Sequence, residues 1–93
     1  MITGICKLSI HIPGSSSLKD KRRVIKGIKD KLRHNFNVSV AEVDDEEFWQ
    51  KAVLGIACVS NSQAHIAEVF SEAIGIIKNN GEIYILDSQI EFL

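Results

Sequence analysis

The residues best suited to chemistry form a basic segment, residues 19–33. The segment contains 8 of the 11 Lys and Arg residues of this 93-residue chain but only 2 of its 12 acids. Lys and Arg neutralise phosphates and release the counterions around nucleic acids, which gives a salt-dependent affinity with little sequence preference. The segment therefore predicts a surface for a phosphate backbone. Its candidate residues are Lys19, Arg22, Arg23, Lys26, Lys29 and Arg33. The alternative is an exposed basic helix face that binds nothing.

A serine-rich turn, residues 14–17, precedes this segment and suggests a second kind of chemistry. The free N–H groups and the dipole at a helix N-terminus attract anions. The candidate anion-binding residues are Ser15, Ser16 and Ser17. The turn lacks the spacing of a P-loop, and no nucleophile motif joins it to the nearby His11. A small-anion-binding or hydrolytic domain is therefore an alternative, beside the simpler interpretation of an ordinary loop.

The acidic residues and the cysteines are weaker candidates. The five acids within residues 42–47 carry the oxygen ligands that hard cations prefer, but their spacing is not that of an EF-hand. A charged hairpin tip that discourages edge pairing is the simpler interpretation. Cys6 and Cys58 lie in apolar runs and are expected to be reduced thiols of a cytoplasmic protein. We expect no metal, no cofactor and no catalytic residue; whether the protein is an enzyme is left open.

Length and composition describe one globular domain, residues 1–93. The net charge is −1, yet residues 1–34 carry +7 and residues 35–93 carry −8. This asymmetry favours an acidic partner on one side of the molecule, and two solvated faces are the alternative. No secretory signal is present, and no apolar run approaches the roughly 20 residues that cross a membrane, so we expect no membrane association.

Six elements must position these residues. Residues 2–12 alternate with period two and their even positions are apolar, which predicts a strand with that face towards the core. A helix follows, with Ser17 as its N-cap and Asp20 three residues on as a variant of the capping box. The apolar stripe of this helix is predicted at Leu18, Ile25, Ile28 and Leu32.

The second half of the chain adds three strands and one helix. The strands are predicted at residues 38–43, 49–60 and 82–92. Both faces of the middle one are largely apolar, which suits a central position in a sheet. The second helix is predicted to begin after a cap at Asn61 or Ser62. In the last strand the apolar parity breaks between Ile85 and Leu86, which indicates a bulge.

The order of elements predicts an α+β, ferredoxin-like β-α-β-β-α-β domain, in which a four-stranded antiparallel sheet carries both helices on one face. Right-handed crossovers place the first and third strands at its centre. The opposite face would then be too apolar to lie open to water, so we expect a homo-oligomer, a dimer, to cover part of it. The candidate partner-surface residues are His11, Trp49 and Lys51.

Several blocks of the sequence resemble the YlxP-like family, small bacterial domains of unassigned function. The blocks are residues 11–13, 17–22, 36–42, 49–50 and 55–57, so the resemblance spans nearly the whole chain. It implies a single ferredoxin-like domain, in agreement with the pattern analysis. Through the position of family genes among translation genes, it also implies a role with RNA or ribosomal particles. No catalytic residue of the family is available to carry over. The favoured hypothesis is a non-catalytic, RNA- or ribosome-associated accessory protein, with an anion-binding domain or a purely homo-oligomeric module as alternatives.

Overall fold

The computed structural model describes all 93 residues and contains six elements in the predicted order. The strands are β1 (Ile2–His11), β2 (Ser39–Asp44), β3 (Lys51–Ser60) and β4 (Tyr84–Phe92). The helices are α1 (Leu18–Asn35) and α2 (Gln63–Lys78). The strands form one antiparallel sheet in the order β2-β3-β1-β4, with both helices on one face. The predicted ferredoxin-like architecture is confirmed, with β1 and β3 at the centre. Neither helix is long and apolar enough to cross a membrane.

The core lies between the helices and one face of the sheet. The even positions of β1 from Gly4 to Ile10 are buried as predicted and Ile2 is half-buried, whereas Ile5 and Lys7 point to the opposite face. The buried residues of α1 are Lys21, Val24, Ile25, Ile28 and Leu32. Those of α2 are Ile66, Val69, Phe70, Ala73 and Ile77. The apolar stripe predicted for α1 is confirmed from Ile25 to Leu32, and Leu18 is only half-buried.

Both helices begin at serine caps. Ser17 Oγ accepts a hydrogen bond from the Asp20 N–H at 3.1 Å, which confirms the predicted cap of α1. Of the two candidates for α2, Ser62 is the cap, and its Oγ accepts from the His65 N–H at 3.2 Å. Each bond satisfies one of the N–H groups that a helix N-terminus leaves without an internal partner.

The third strand begins at Lys51, two residues later than predicted. Gln50 Nε2 donates to the carbonyl oxygens of Pro13 and Ser15, at 3.2 and 3.0 Å. These bonds hold the Gln50 side chain against the loop that follows β1. Trp49 therefore belongs to the β2–β3 loop, and the prediction that it lies on the sheet face is wrong.

The irregularity predicted in the last strand is confirmed. Ile10 pairs with Ile85 and Ser9 pairs with Asp87, so Leu86 has no partner on β1. A residue without a partner reverses the side-chain parity, which places Ile85 and then Ser88 on the helix-covered face. The bulge accounts for the break in the apolar alternation.

Candidate functional site

Five of the six predicted cations lie on one flank of α1, here called the basic stripe. At about 100° per residue, these five fall within an arc of roughly 80° that avoids the buried side of the helix. The basic stripe consists of Lys19, Arg22, Lys26, Lys29 and Arg33. At a rise of about 1.5 Å per residue it is roughly 21 Å long. Lys29 is half-buried and the other four are exposed.

Two exposed ion pairs involve the predicted cations. Arg23, which lies off the stripe, has its Nη2 3.1 Å from Glu82 Oε1. Lys26 Nζ lies 2.9 Å from Asp30 Oδ2, and this hydrogen bond lowers the pKa of the Asp30 carboxyl group. Exposed ion pairs are screened by solvent and salt and contribute little to stability. Both cations are therefore available to an anion that binds them more tightly than the carboxylate does, such as a phosphate.

Arg33 connects the C-terminal end of the stripe to the sheet. Its Nη2 donates to the carbonyl oxygen of Val40 in β2 at 2.9 Å. A guanidinium group has five N–H donors, so the others remain for an external acceptor. Because Arg33 also contacts β2, its replacement would mix a structural effect with a binding effect.

The serine turn is closed by its own side chains. Ser15 is buried, and its hydroxyl donates to the carbonyl oxygen of Ser17 at 3.0 Å. The hydroxyl and the N–H of Ser16 both donate to Asp20 Oδ2, at 2.7 and 3.1 Å. Both bonds lower the pKa of the Asp20 carboxyl group, and the bond from the hydroxyl has the larger effect. The turn therefore holds a carboxylate where an incoming anion would need donors, and this geometry opposes the predicted anion-binding role.

Lys21 is a buried charged residue that none of the predictions from the sequence named as a candidate. Its side chain is 1% exposed, and its Nζ lies 2.8 Å from Glu42 Oε2 in β2. The same Nζ donates to the backbone carbonyl oxygens of Asp45, Glu46 and Lys51, at 2.8, 3.2 and 3.1 Å. Four oxygen atoms surround an ammonium that has three N–H donors. The contact with Glu42 is therefore an ion pair rather than a well-directed hydrogen bond.

One feature of the sequence could have revealed the burial of Lys21. The residue precedes Ile25, Ile28 and Leu32 by 4, 7 and 11 positions, which is the spacing of one helix face. A lysine at the core-facing phase of an amphipathic helix needs a buried partner, because an unpaired buried charge is costly. The partner itself, Glu42, could not be identified without the fold.

The β2–β3 loop, residues 45–50, is the segment that Lys21 holds. Asp45 adopts a left-handed conformation with φ of 60°. The side chains of Phe48 and Trp49 are 58% and 55% exposed. A shallow, open groove of about 420 Å³ is lined by residues 47–51. An exposed aromatic pair on an anchored loop is a typical feature of a binding surface.

The sheet face without helices carries the other predicted partner residues. His11 pairs with Lys51 on β3 and with Tyr84 on β4, at one end of this face. Towards β2, a shallow apolar groove of about 230 Å³ is lined in part by Ile5, Val43 and Ala57. His11 and Lys51 therefore lie together as predicted.

The cysteines and the acidic residues do not form a reactive centre. Cys6 and Cys58 are buried and free. Burial raises the pKa of the Cys6 thiol to about 11 and also raises the pKa of Cys58. The thiolate is the nucleophile, so neither residue is reactive near neutral pH. No group of three or more His, Cys, Asp or Glu side chains is placed to hold a metal ion.

Comparison with known proteins identifies the family. The family model described as "Protein of unknown function (DUF503)" matches residues 3–90, which include parts of all six elements. The chain is also 32% identical over 80 residues to "Uncharacterized protein YlxP" of Bacillus subtilis (strain 168), a match that covers 86% of this chain and 87% of that protein. The resemblance found in the sequence is confirmed: the chain belongs to the DUF503 family of proteins of unknown function, which includes YlxP-like proteins.

Proposed function

We propose that the protein is a non-catalytic accessory protein of the bacterial cytoplasm that associates with RNA, in particular with ribosomal particles or their precursors. The observation that carries this proposal is the basic stripe. Five cations lie along roughly 21 Å of one helix flank. Asp30, the acid beside the stripe, is engaged by Lys26. A rigid row of cations suits the regularly spaced phosphates of an RNA strand.

The stripe supports recognition of the backbone rather than of the bases. Single-stranded RNA is usually read by aromatic side chains on which bases stack. The exposed aromatic pair, Phe48 and Trp49, lies in a loop rich in carboxylates, which would repel the phosphates beside a stacked base. We therefore expect affinity that depends strongly on salt and weakly on RNA sequence. Five phosphate contacts give a slope of log affinity against log salt of about −3.5 to −4.5.

The direct test is binding of purified ribosomal RNA by a variant with a neutralised stripe. We expect Arg22→Gln/Lys26→Gln/Lys29→Gln to bind at least about tenfold more weakly near 0.1 M salt. Its salt slope should be smaller in magnitude by about 2, because three phosphate contacts are lost. Arg33 is left unchanged because it also bonds to Val40. Filter binding or fluorescence anisotropy over a series of salt concentrations provides the measurement.

A control variant separates the stripe from overall charge. Lys31→Gln/Lys78→Glu lowers the net charge by the same three units at two exposed positions off the stripe. It should retain most of the affinity and the original salt slope. An equal loss in both variants would show that net charge, not the stripe, attracts RNA. In cells, the protein should sediment with ribosomal particles at low salt and leave them at high salt; failure to co-sediment at either salt would exclude the ribosomal role.

We also propose that two copies of the chain associate through the open sheet face. The face combines exposed apolar side chains, such as Ile5 and Val59, with charges of both signs. Lys7 and Lys51 lie on the central strands, whereas Asp87 and Glu91 lie on β4 in register with β1. A two-fold axis through such a face can place the cations of one copy against the acids of the other. Dimer formation leaves α1 free, so it is compatible with RNA binding.

The oligomeric state tests this second proposal. Light scattering should give about twice the 10.3 kDa chain mass for the unmodified protein. We expect Ile5→Glu to be monomeric, because it places an unpaired charge in the apolar part of the face. The matched control Ala67→Glu, on the exposed side of α2, should remain a dimer. A monomeric mass at about 100 µM protein would contradict the proposal.

A further inference from the structure

Phe48 and Trp49 are adjacent, aromatic and more than half exposed. Burying an aromatic side chain removes a large apolar area from water, so a partner that covers this pair would gain favourable free energy of binding. Aromatic residues are enriched among the few residues that dominate protein–protein affinity. The groove beside them, about 420 Å³ and lined by residues 47–51, offers room for a partner side chain.

The loop that carries this pair is anchored at both ends. At its start, the Lys21 ammonium binds the carbonyl oxygens of Asp45 and Glu46. At its end, the Gln50 side chain binds the carbonyl oxygens of Pro13 and Ser15. A loop held in this way loses little conformational entropy when a partner binds, which raises affinity for a given contact area.

The charges around the aromatic pair define the chemistry of the partner. Four consecutive acids precede Phe48, and none of them takes part in an ion pair: Asp44, Asp45, Glu46 and Glu47. One cation, Lys51, lines the groove, so residues 44–51 carry a net charge of −3. Carboxylates that directly precede an exposed apolar pair complement a segment that is basic and partly apolar.

We propose that residues 44–51 are a docking element for a basic, partly apolar segment of another protein. An apolar side chain of the partner packs against Phe48 in the groove, and its Lys or Arg side chains pair with the four carboxylates. An Arg of the partner can also stack on the Trp49 ring, since a guanidinium over an aromatic face is favourable. This surface carries charge opposite to that of the basic stripe, so the proposal does not depend on RNA binding.

Two other occupants are less suited to this loop. RNA would bring phosphates against the four carboxylates. A second copy would have to present its basic stripe to the loop, whereas the dimer proposed above forms through the open sheet face and leaves α1 free. Both occupants are distinguishable outcomes of the experiment below.

Site-specific photo-cross-linking in bacterial cells tests the proposal with the full chain. Phe48 is replaced by the photoreactive aromatic residue p-benzoylphenylalanine, which keeps an aromatic ring in the loop. The control carries the same residue in place of Ala67, which is exposed on α2 and lies outside both the loop and the open sheet face. Cross-linked peptides are identified by mass spectrometry. We expect at least fivefold more protein cross-linking from position 48, to a segment of net positive charge.

A second variant tests whether the carboxylates contribute to binding in addition to the aromatic pair. Asp44→Asn/Glu46→Gln/Glu47→Gln removes three charges but keeps the Asp44 Oδ1 acceptor that binds the Asp45 N–H. Added to the position 48 cross-linker, it should lower the yield at least fivefold. A synthetic peptide of the captured segment should shift the emission of Trp49, the single tryptophan, to shorter wavelength. The proposal is overturned by cross-links to RNA, to a second copy or to an acidic segment, by a yield no higher than that of the Ala67 control, or by a yield that the charge variant leaves unchanged.

Discussion

Replacing Lys21 by methionine is expected to lower the free energy of unfolding by about 3–5 kcal/mol, the range for breaking a buried ion pair from one side. Lys21 is 1% exposed, so no water can take its place without a rearrangement. Methionine fills much of the same space but offers no N–H donor. The Glu42 carboxylate then lacks its cation, and three backbone carbonyl oxygens lose a donor. Urea unfolding followed by circular dichroism measures the loss.

Two further variants show whether the buried charge is the cause. Lys31→Met, on the same helix but exposed, should change stability by less than about 0.5 kcal/mol. Lys21→Met/Glu42→Gln should be less destabilised than the sum of its single changes, because it removes the uncompensated carboxylate. A loss below about 1 kcal/mol for Lys21→Met would contradict the structural role of this residue.

Replacing Lys21 should also make the β2–β3 loop more mobile. Lys21 donates hydrogen bonds to Asp45, Glu46 and Lys51, and the other long-range hydrogen bonds of the loop are those of Gln50. In Lys21→Met we therefore expect faster amide hydrogen exchange in residues 45–50 and lower fluorescence anisotropy of Trp49. Unchanged exchange in this loop would show that Lys21 does not anchor it.

Gly4→Ala is expected to destabilise the protein by about 2–3 kcal/mol, near the upper end of the range for overpacking a core. Gly4 lies in β1 directly beneath α2. A Cβ atom at this position would overlap Ile66 Cγ2 and come within 3.0 Å of Phe70 Cε2. Because β1 pairs with strands on both sides, the strand cannot move away, and α2 must shift instead. The melting temperature and the urea midpoint should both fall.

A glycine in open space provides the matched control. A Cβ atom on Gly27, in the middle of α1, meets nothing within 4 Å. Gly27→Ala should therefore raise stability by up to about 1 kcal/mol, through helix propensity alone. Gly4→Ala/Ile66→Ala should be less destabilised than the sum of its parts, because the second change removes the overlapping methyl group. Equal effects of alanine at both glycines would contradict the close contact at Gly4.

Much of the fold could be predicted from local patterns. The alternation in residues 2–12 and the apolar phases of the helices specify the type and order of the elements, because each pattern has the period of one structure. The Ser17 cap and the bulge at Leu86 were also visible as local features. The start of β3 was not, because it depends on a bond from Gln50 to a loop 35 residues earlier.

The candidate site also has one part that could be predicted from the sequence and another that could not. The basic stripe follows from helical spacing, so its five residues were identifiable without coordinates. The serine turn had the composition of an anion site, but its donors bond to Asp20 and to Ser17. Composition shows which donors a segment has and does not show which of them are already occupied.

Sequence alone determined the elements, their order, the resemblance to the YlxP-like family and the cations of α1. Each of these depends on residues close together in the chain or on periodic positions of one element. Only the tertiary structure decided that Lys21 is buried against Glu42 and that the loop with Phe48 and Trp49 is anchored. These contacts join residues more than 20 positions apart, and their free energy depends on burial, which the packing of α1 on the sheet creates.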